Sequence, residues 1–169
     1  MKDILVKDSD LILASQEGID AFIKVISDAI LNSIGGKLTC DNMSELNADQ
    51  ITLIAYSVLR DEVMDGGFVQ LIYNGWGPFF FNNPFAKAIR LWGLTDLAPL
   101  INKANRLYKK HRADIEKDYT DDEFMELFER FPDFDDLDDK FVENEEQWTN
   151  RIAFYVDDNL DKFVTIVKD

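Results

Sequence analysis

Residues 118–146 read DYTDDEFMELFERFPDFDDLDDKFVENEE, with fourteen carboxylates against two bases, Arg130 and Lys140. Their formal charge of −12 is most of the −15 on the 169-residue chain. Composition this acidic favours disorder, but the apolar spacing opposes it. Phe124, Leu127, Phe128 and Phe131 recur at i, i+3, i+4 and i+7, one stripe of a helix. Thr120 and Glu123 have capping-box spacing, and acids in that first turn suit the helix dipole. Pro132 ends the helix, having no amide hydrogen to donate. A second apolar set, Leu137, Phe141, Trp148 and Ile152, anchors the remainder of the tract. At 100° per residue, Asp122, Glu126, Glu129 and Asp133 point away from the first stripe. The sequence therefore predicts carboxylates held outward by a buried aromatic seam. Asp135, Asp136, Asp138, Asp139 and Glu143 extend the row.

Spacing supplies a magnitude. At about 1.5 Å per residue, a mostly helical segment of this length spans roughly 43 Å, or one net charge per about 3.6 Å. One DNA strand carries a charge per roughly 3.4 Å and the duplex one per roughly 1.7 Å. A single tract approximates one strand, and two side by side in a dimer approach a duplex.

The chain is 46% hydrophobic and includes thirteen Phe and three Trp, enough for one well-buried core in a single domain over 1–169. Cys40 is the sole cysteine, which excludes an internal disulfide and fits a reducing cytoplasm. The start, MKDILVKDSD, forms no apolar signal region, and no apolar run is long enough to span a membrane. The cytoplasm is therefore the expected location. A pI near 4.3 implies repulsion of nucleic acid and attraction to basic partners.

Along the rest of the chain the pattern is helical. Residues 9–34 carry Ile19, Phe22, Ile23, Ile26 and Ile30 on one face, with Gly18 as an interruption and Gly35-Gly36 as a stop. Residues 37–46 form a connector in which Cys40 is a semi-buried small residue. Asn47 caps a second helix that ends near Asp65-Gly66-Gly67. A short helix over 68–74 and a loop over 75–83 come next. Pro84 starts another helix, which runs to Gly93. Thr95 then caps a helix whose buried stripe includes Leu97, Ile101, Ala104, Tyr108, His111 and Ile115. Its other side carries Lys103, Arg106 and Lys110. Helix is also expected over 147–157 and 160–167. No strand alternation is present, so the fold class is all-α, an irregular bundle of about seven or eight helices.

Gly66-Gly67 permits a close chain reversal, after which Phe68 and Leu71 or Ile72 bury. Gln70 and Asn74 share one helix face, placed as structural amides. Asp65-Gly66-Gly67-Phe68-Val69-Gln70, with Asn74 beyond it, resembles the Asn-Gly-Gly-Phe-x-Gln signature of a bacterial DNA-mimic protein family. Asp65 stands where Asn is usual, and Leu71-Ile72 where aromatics are common. The resemblance spans roughly residues 50–167, leaving the first 45 outside. It implies an all-α, dimeric protein whose carboxylates imitate DNA phosphates on the DNA-binding face of another protein. Such a partner is a transcription factor, nucleoid protein or nuclease.

Other readings have less support. The chain lacks GxSxG, Walker and HExxH patterns, and its sole histidine, His111, lies on an apolar stripe. No catalytic residue or cofactor is expected. An EF-hand reading of Asp133–Asp139 fails, because Leu137 takes a ligand position and no glycine comes after it. No specific metal site is expected either. An immunity-type inhibitor of a basic nuclease toxin uses the same electrostatics as the mimic. A solvated acidic face with no mimicry is the blandest alternative. The basic side of the preceding helix sets a condition on any mimic: pairing with the acidic helix would weaken its field.

Overall fold

The apolar periodicity of the N-terminal region is realised as two helices separated by Gly18, α1 (Asp8–Glu17) and α2 (Ile19–Ser33), packed on each other. The computed structural model describes residues 3–169, and three-residue strands β1 (Leu5–Lys7) and β2 (Thr165–Val167) flank the helical series. The strands pair in parallel, Leu5 opposite Thr165 and Val6 opposite Ile166. Residues 160–167 therefore form a 3-10 turn and a strand rather than the expected helix. A three-residue strand is too short to show alternation, so this pairing has no sequence signal.

α3 (Ala48–Tyr73) begins as expected at Asn47. Asn47 Oδ1 accepts from the Gln50 amide at 2.8 Å, and Gln50 Oε1 accepts from the Asn47 amide at 3.0 Å. α4 (Gly77–Asn82) occupies most of the expected loop, because Phe80 and Phe81 are drawn into the core. α5 (Phe85–Leu91) packs on α6 (Leu97–Ile115). The residue preceding α6 is Asp96, without a side-chain cap bond, so Thr95 does not cap it. α7 (Asp121–Arg130) and α8 (Asp135–Asp158) are joined by a 3-10 turn over Pro132–Phe134. Among the described residues there are eight α-helices, and the fold is all-α. Cys40 is exposed rather than semi-buried.

Contacts divide the chain into two compact units, residues up to Tyr56 with Gln147–Asp169, and Ser57–Glu146. In the first, Phe22, Ile26 and Ile30 line the buried side of α2. Gln50 Nε2 there donates to the Phe163 carbonyl at 2.9 Å, and Tyr56 shares a 2.8 Å hydrogen bond with Thr149. In the second, Leu97, Ile101, Ala104, Tyr108 and Ile115 form the expected buried stripe of α6.

α3 changes direction inside the second unit. Gly66 and Gly67 leave helical geometry, Gly67 reaching φ 72° and ψ −175°, a conformation nearly confined to glycine. A Cβ at Gly67 would lie 2.3 Å from Oδ2 of Asp138. The glycine is thus required by its own backbone and by the neighbouring carboxylate. Gly35, at φ 91° with nothing within 4 Å of a built Cβ, isolates the backbone cost. Gly67→Ala should destabilise the protein by at least about 2 kcal/mol, and Gly35→Ala by about 1 kcal/mol. Urea unfolding of both variants checks this, and equal losses would contradict the role given to Asp138.

Candidate protein-binding acidic face

α7 is set by its first turn. Thr120 Oγ1 accepts from the Glu123 amide, and the Glu123 carboxylate accepts from the Thr120 amide at 2.9 Å, completing the capping box. The apolar side of the helix then meets α3. Phe124 stacks against Tyr73 at 4.4 Å between ring centres, Leu127 is fully buried, and Phe128 packs edge-on against Phe124. Past the helix end, Phe131 and Phe134 bury with their rings 5.1 and 6.1 Å from His111. Leu137 and Phe141 continue the buried series on α8, Phe141 lying edge-on to Phe68.

This anchoring turns two rows of acid outward. Asp122, Glu126 and Glu129 are exposed on α7, and Asp135, Asp136, Asp139 and Glu143 on α8. Among the described residues, none of these seven forms an ion pair with a lysine or arginine. Each helix begins with three acids in its first turn, where the dipole favours them. Glu146 is exposed on the same side of α8 as Asp135, Asp139 and Glu143, and belongs with that row.

Two of the expected residues point elsewhere. Asp133 lies in the 3-10 turn, where Oδ2 accepts from Lys110 Nζ at 2.7 Å and sits 3.0 Å from His111 Nε2. The Lys110 hydrogen bond, with that of His111, holds the Asp133 carboxyl below its ordinary range. Internal pairing therefore reaches the acidic tract at this point. Lys103 and Arg106 make no such contact among the described residues. Arg60 pairs with Glu145, while Arg130 lies over the rings of Tyr119 and Phe131.

Asp138 turns inward. Its Oδ1 accepts from the Phe68 amide at 2.9 Å, just past the glycine kink. The helical wheel explains why: Asp138 falls only about 80° from the centre of the Leu137–Phe141 face, whereas Asp135 and Asp139 lie opposite it. Glu62, which no sequence motif singles out, completes the other side of the kink. Its Oε2 accepts from Gln70 Nε2 at 3.0 Å and from Asn74 Nδ2 at 2.8 Å. Gln70 also donates to Asp65 Oδ2 at 2.9 Å. Gly66, Gly67, Phe68, Gln70 and Asn74 thus form a clasp around a bend. The two amides bind carboxylates rather than each other.

Among the described residues, no group of three or more His, Cys, Asp or Glu side chains is arranged to hold a metal ion. No described helix is long and apolar enough to cross a membrane. The features together define an all-helical domain with a glycine-bent amide clasp and solvent-facing carboxylate rows. The profile of the DMP19-like protein family matches residues 44–159, and the chain belongs to that family. It is similar to the DNA mimic protein DMP19 of Neisseria meningitidis serogroup B. The two are 34% identical over 128 residues, 75% of this chain and 77% of that protein. The family match begins after α1, α2 and β1.

Burial raises the Asp138 carboxyl from 3.8 to about 6, partly offset by the Phe68 amide. Since the folded value exceeds the unfolded one, stability from this group is complete below about pH 4 and is lost as pH rises through about 6. Asp138→Asn keeps an acceptor for Phe68 and removes the buried charge. It should be more stable than the native protein by about 1–3 kcal/mol at pH 7.5, the difference closing towards pH 4. Urea unfolding across that range measures it, and a variant less stable at pH 7.5 would contradict the assignment.

Proposed function

We propose that this chain is a non-catalytic DNA mimic, whose outward carboxylates occupy the DNA-binding face of a basic protein. The observation that carries the reading is the pair of ordered acidic rows, seven carboxylates without an internal cation among the described residues. Membership of the DMP19-like family and similarity to a protein named as a DNA mimic support it. A transcription factor, nucleoid protein or nuclease would present the complementary surface.

Charge density sets what one face can imitate. Residues 135–146 of α8 rise about 18 Å, and five exposed acids less Lys140 give one net charge per about 4.5 Å. One DNA strand carries one per roughly 3.4 Å. A single helix is therefore sparser than a strand, so both α7 and α8 are needed. Asp122, Glu126, Glu129, Asp135, Asp136, Asp139 and Glu143 form the proposed contact set. Asp138 supports the face from within, and Asp133 is held beside it by Lys110. Long-range attraction would steer the encounter and weaken with salt.

A pull-down over a salt series tests this. The native chain should retain nucleic-acid-binding proteins that duplex DNA displaces and rising salt releases. The variant D122N/E126Q/E129Q/D139N should lose at least tenfold in retention while keeping its helical spectrum. Equal retention of the same proteins by that variant would contradict the reading.

A further inference from the structure

β1 has one edge in use. Thr165 donates its amide hydrogen to the Ile4 carbonyl at 2.7 Å, and the paired register continues from Leu5 to Lys7. Along a strand, successive residues direct their N–H and C=O groups to opposite sides. Ile4 and Val6 therefore face β2, and the amide and carbonyl of Leu5 face away from it. Among the described residues the sheet has two strands, so no third strand pairs with the side of β1 to which the Leu5 amide and carbonyl point.

A groove of about 620 Å³ runs along this unused side. One wall is residues 3–7; the other is the α2 stripe Val25, Asp28, Ala29, Asn32 and Ser33. Every residue of β1 lines it and none of β2 does, so it lies at the strand's free edge rather than on a sheet face. Its volume falls within the range of roughly 300–1,000 Å³ typical of ligand sites. Short side chains at Val25, Ala29 and Ser33 leave the α2 wall half-buried and unfilled. A free strand edge beside such a wall is a template for an added strand.

Charge selects the occupant. Asp3, Asp10 and Asp28 line the groove together with Lys7. Lys7 is 3.7 Å from Asp169, and Asp28 is held by Lys24 at 2.7 Å. Asp3 and Asp10 have no such cation among the described residues. We propose that this groove receives an extended segment of another protein, with alternating basic and small apolar side chains, which pairs with β1 as a third strand. Backbone hydrogen bonds to Leu5 provide the pairing. The basic side chains meet Asp3 and Asp10, and the apolar ones cover Val25 and Ala29. The site lies in α1, α2 and β1, before the family match begins, and is independent of the acidic rows on α7 and α8.

The probe is a blocked peptide of alternating lysine and valine, six residues long, titrated into the full chain and followed by amide NMR and fluorescence anisotropy. Binding should shift the Leu5 amide and protect it from exchange. Leu5→Pro removes an N–H that faces the groove and none that faces β2, so it should weaken binding at least tenfold with the fold retained. Ala29→Arg fills the opposite wall and should do the same, and it carries the test if the proline variant does not fold. Asp10→Lys should also weaken binding at least tenfold, and a glutamate–valine peptide should not bind. Failure of the lysine–valine peptide to bind would overturn the proposal. So would binding indifferent to Leu5→Pro and Ala29→Arg, as expected if the peptide only coats the acidic rows. Leu5 protection that grows with protein concentration in the absence of peptide would assign the edge to a second copy and overturn it too.

Discussion

Burial of a continuous apolar series beneath a dense layer of carboxylates is the constraint on which the acidic region depends. Leu127, Phe131, Phe134, Leu137 and Phe141 are all buried, and the outward acids lie on the same short stretch of chain. Each such side chain contributes about 1.5–3 kcal/mol on leaving water. Like charges one helical turn apart cost only about 0.2–0.5 kcal/mol per pair. Burial therefore outweighs repulsion. Acids in the first turns of α7 and α8 lessen the repulsion further by meeting the positive ends of the helix dipoles.

The glycine motif and the acidic helix meet at Asp138. Gly67 leaves room for the carboxylate, the Phe68 amide donates to it, and Phe68 packs edge-on against Phe141 three residues further along α8. On the other side of the bend, Gln70 and Asn74 hold Glu62. The signature thus fixes the direction of α3 and the start of α8 together. Asp138 faces inward, Glu145 is drawn in to Arg60, and the exposed carboxylates take their positions from the packing around them.

Most of this is legible in the sequence where one periodic pattern dominates. The α7 stripe, the Thr120–Glu123 capping box, the Asn47 cap and the break at Gly18 emerge from spacing alone. Long-range pairing is not legible. The partnership of β1 with β2 joins residues at opposite ends of the sequence, and three residues carry no period. Carrying the α7 wheel angle past Pro132, where the helix ends, puts Asp133 on the outer row, but the turn there carries it to Lys110 and His111. Composition groups Asp138 with the outward acids, although its wheel position beside Leu137 marks it as a flank residue. Glycines and a proline suggest a loop over 75–83, while burial of Phe80 and Phe81 there proves decisive.

A face that imitates a phosphate backbone must hold its charges in fixed places, and that rigidity is open to direct measurement. Amide hydrogen exchange across residues 121–146 at neutral pH reports it residue by residue. Leu127, Phe128 and Phe141 should exchange at least a hundredfold more slowly than an unstructured chain of the same sequence. Exchange at the unstructured rate throughout the segment would contradict the account, since freely moving carboxylates present no shaped surface to a partner.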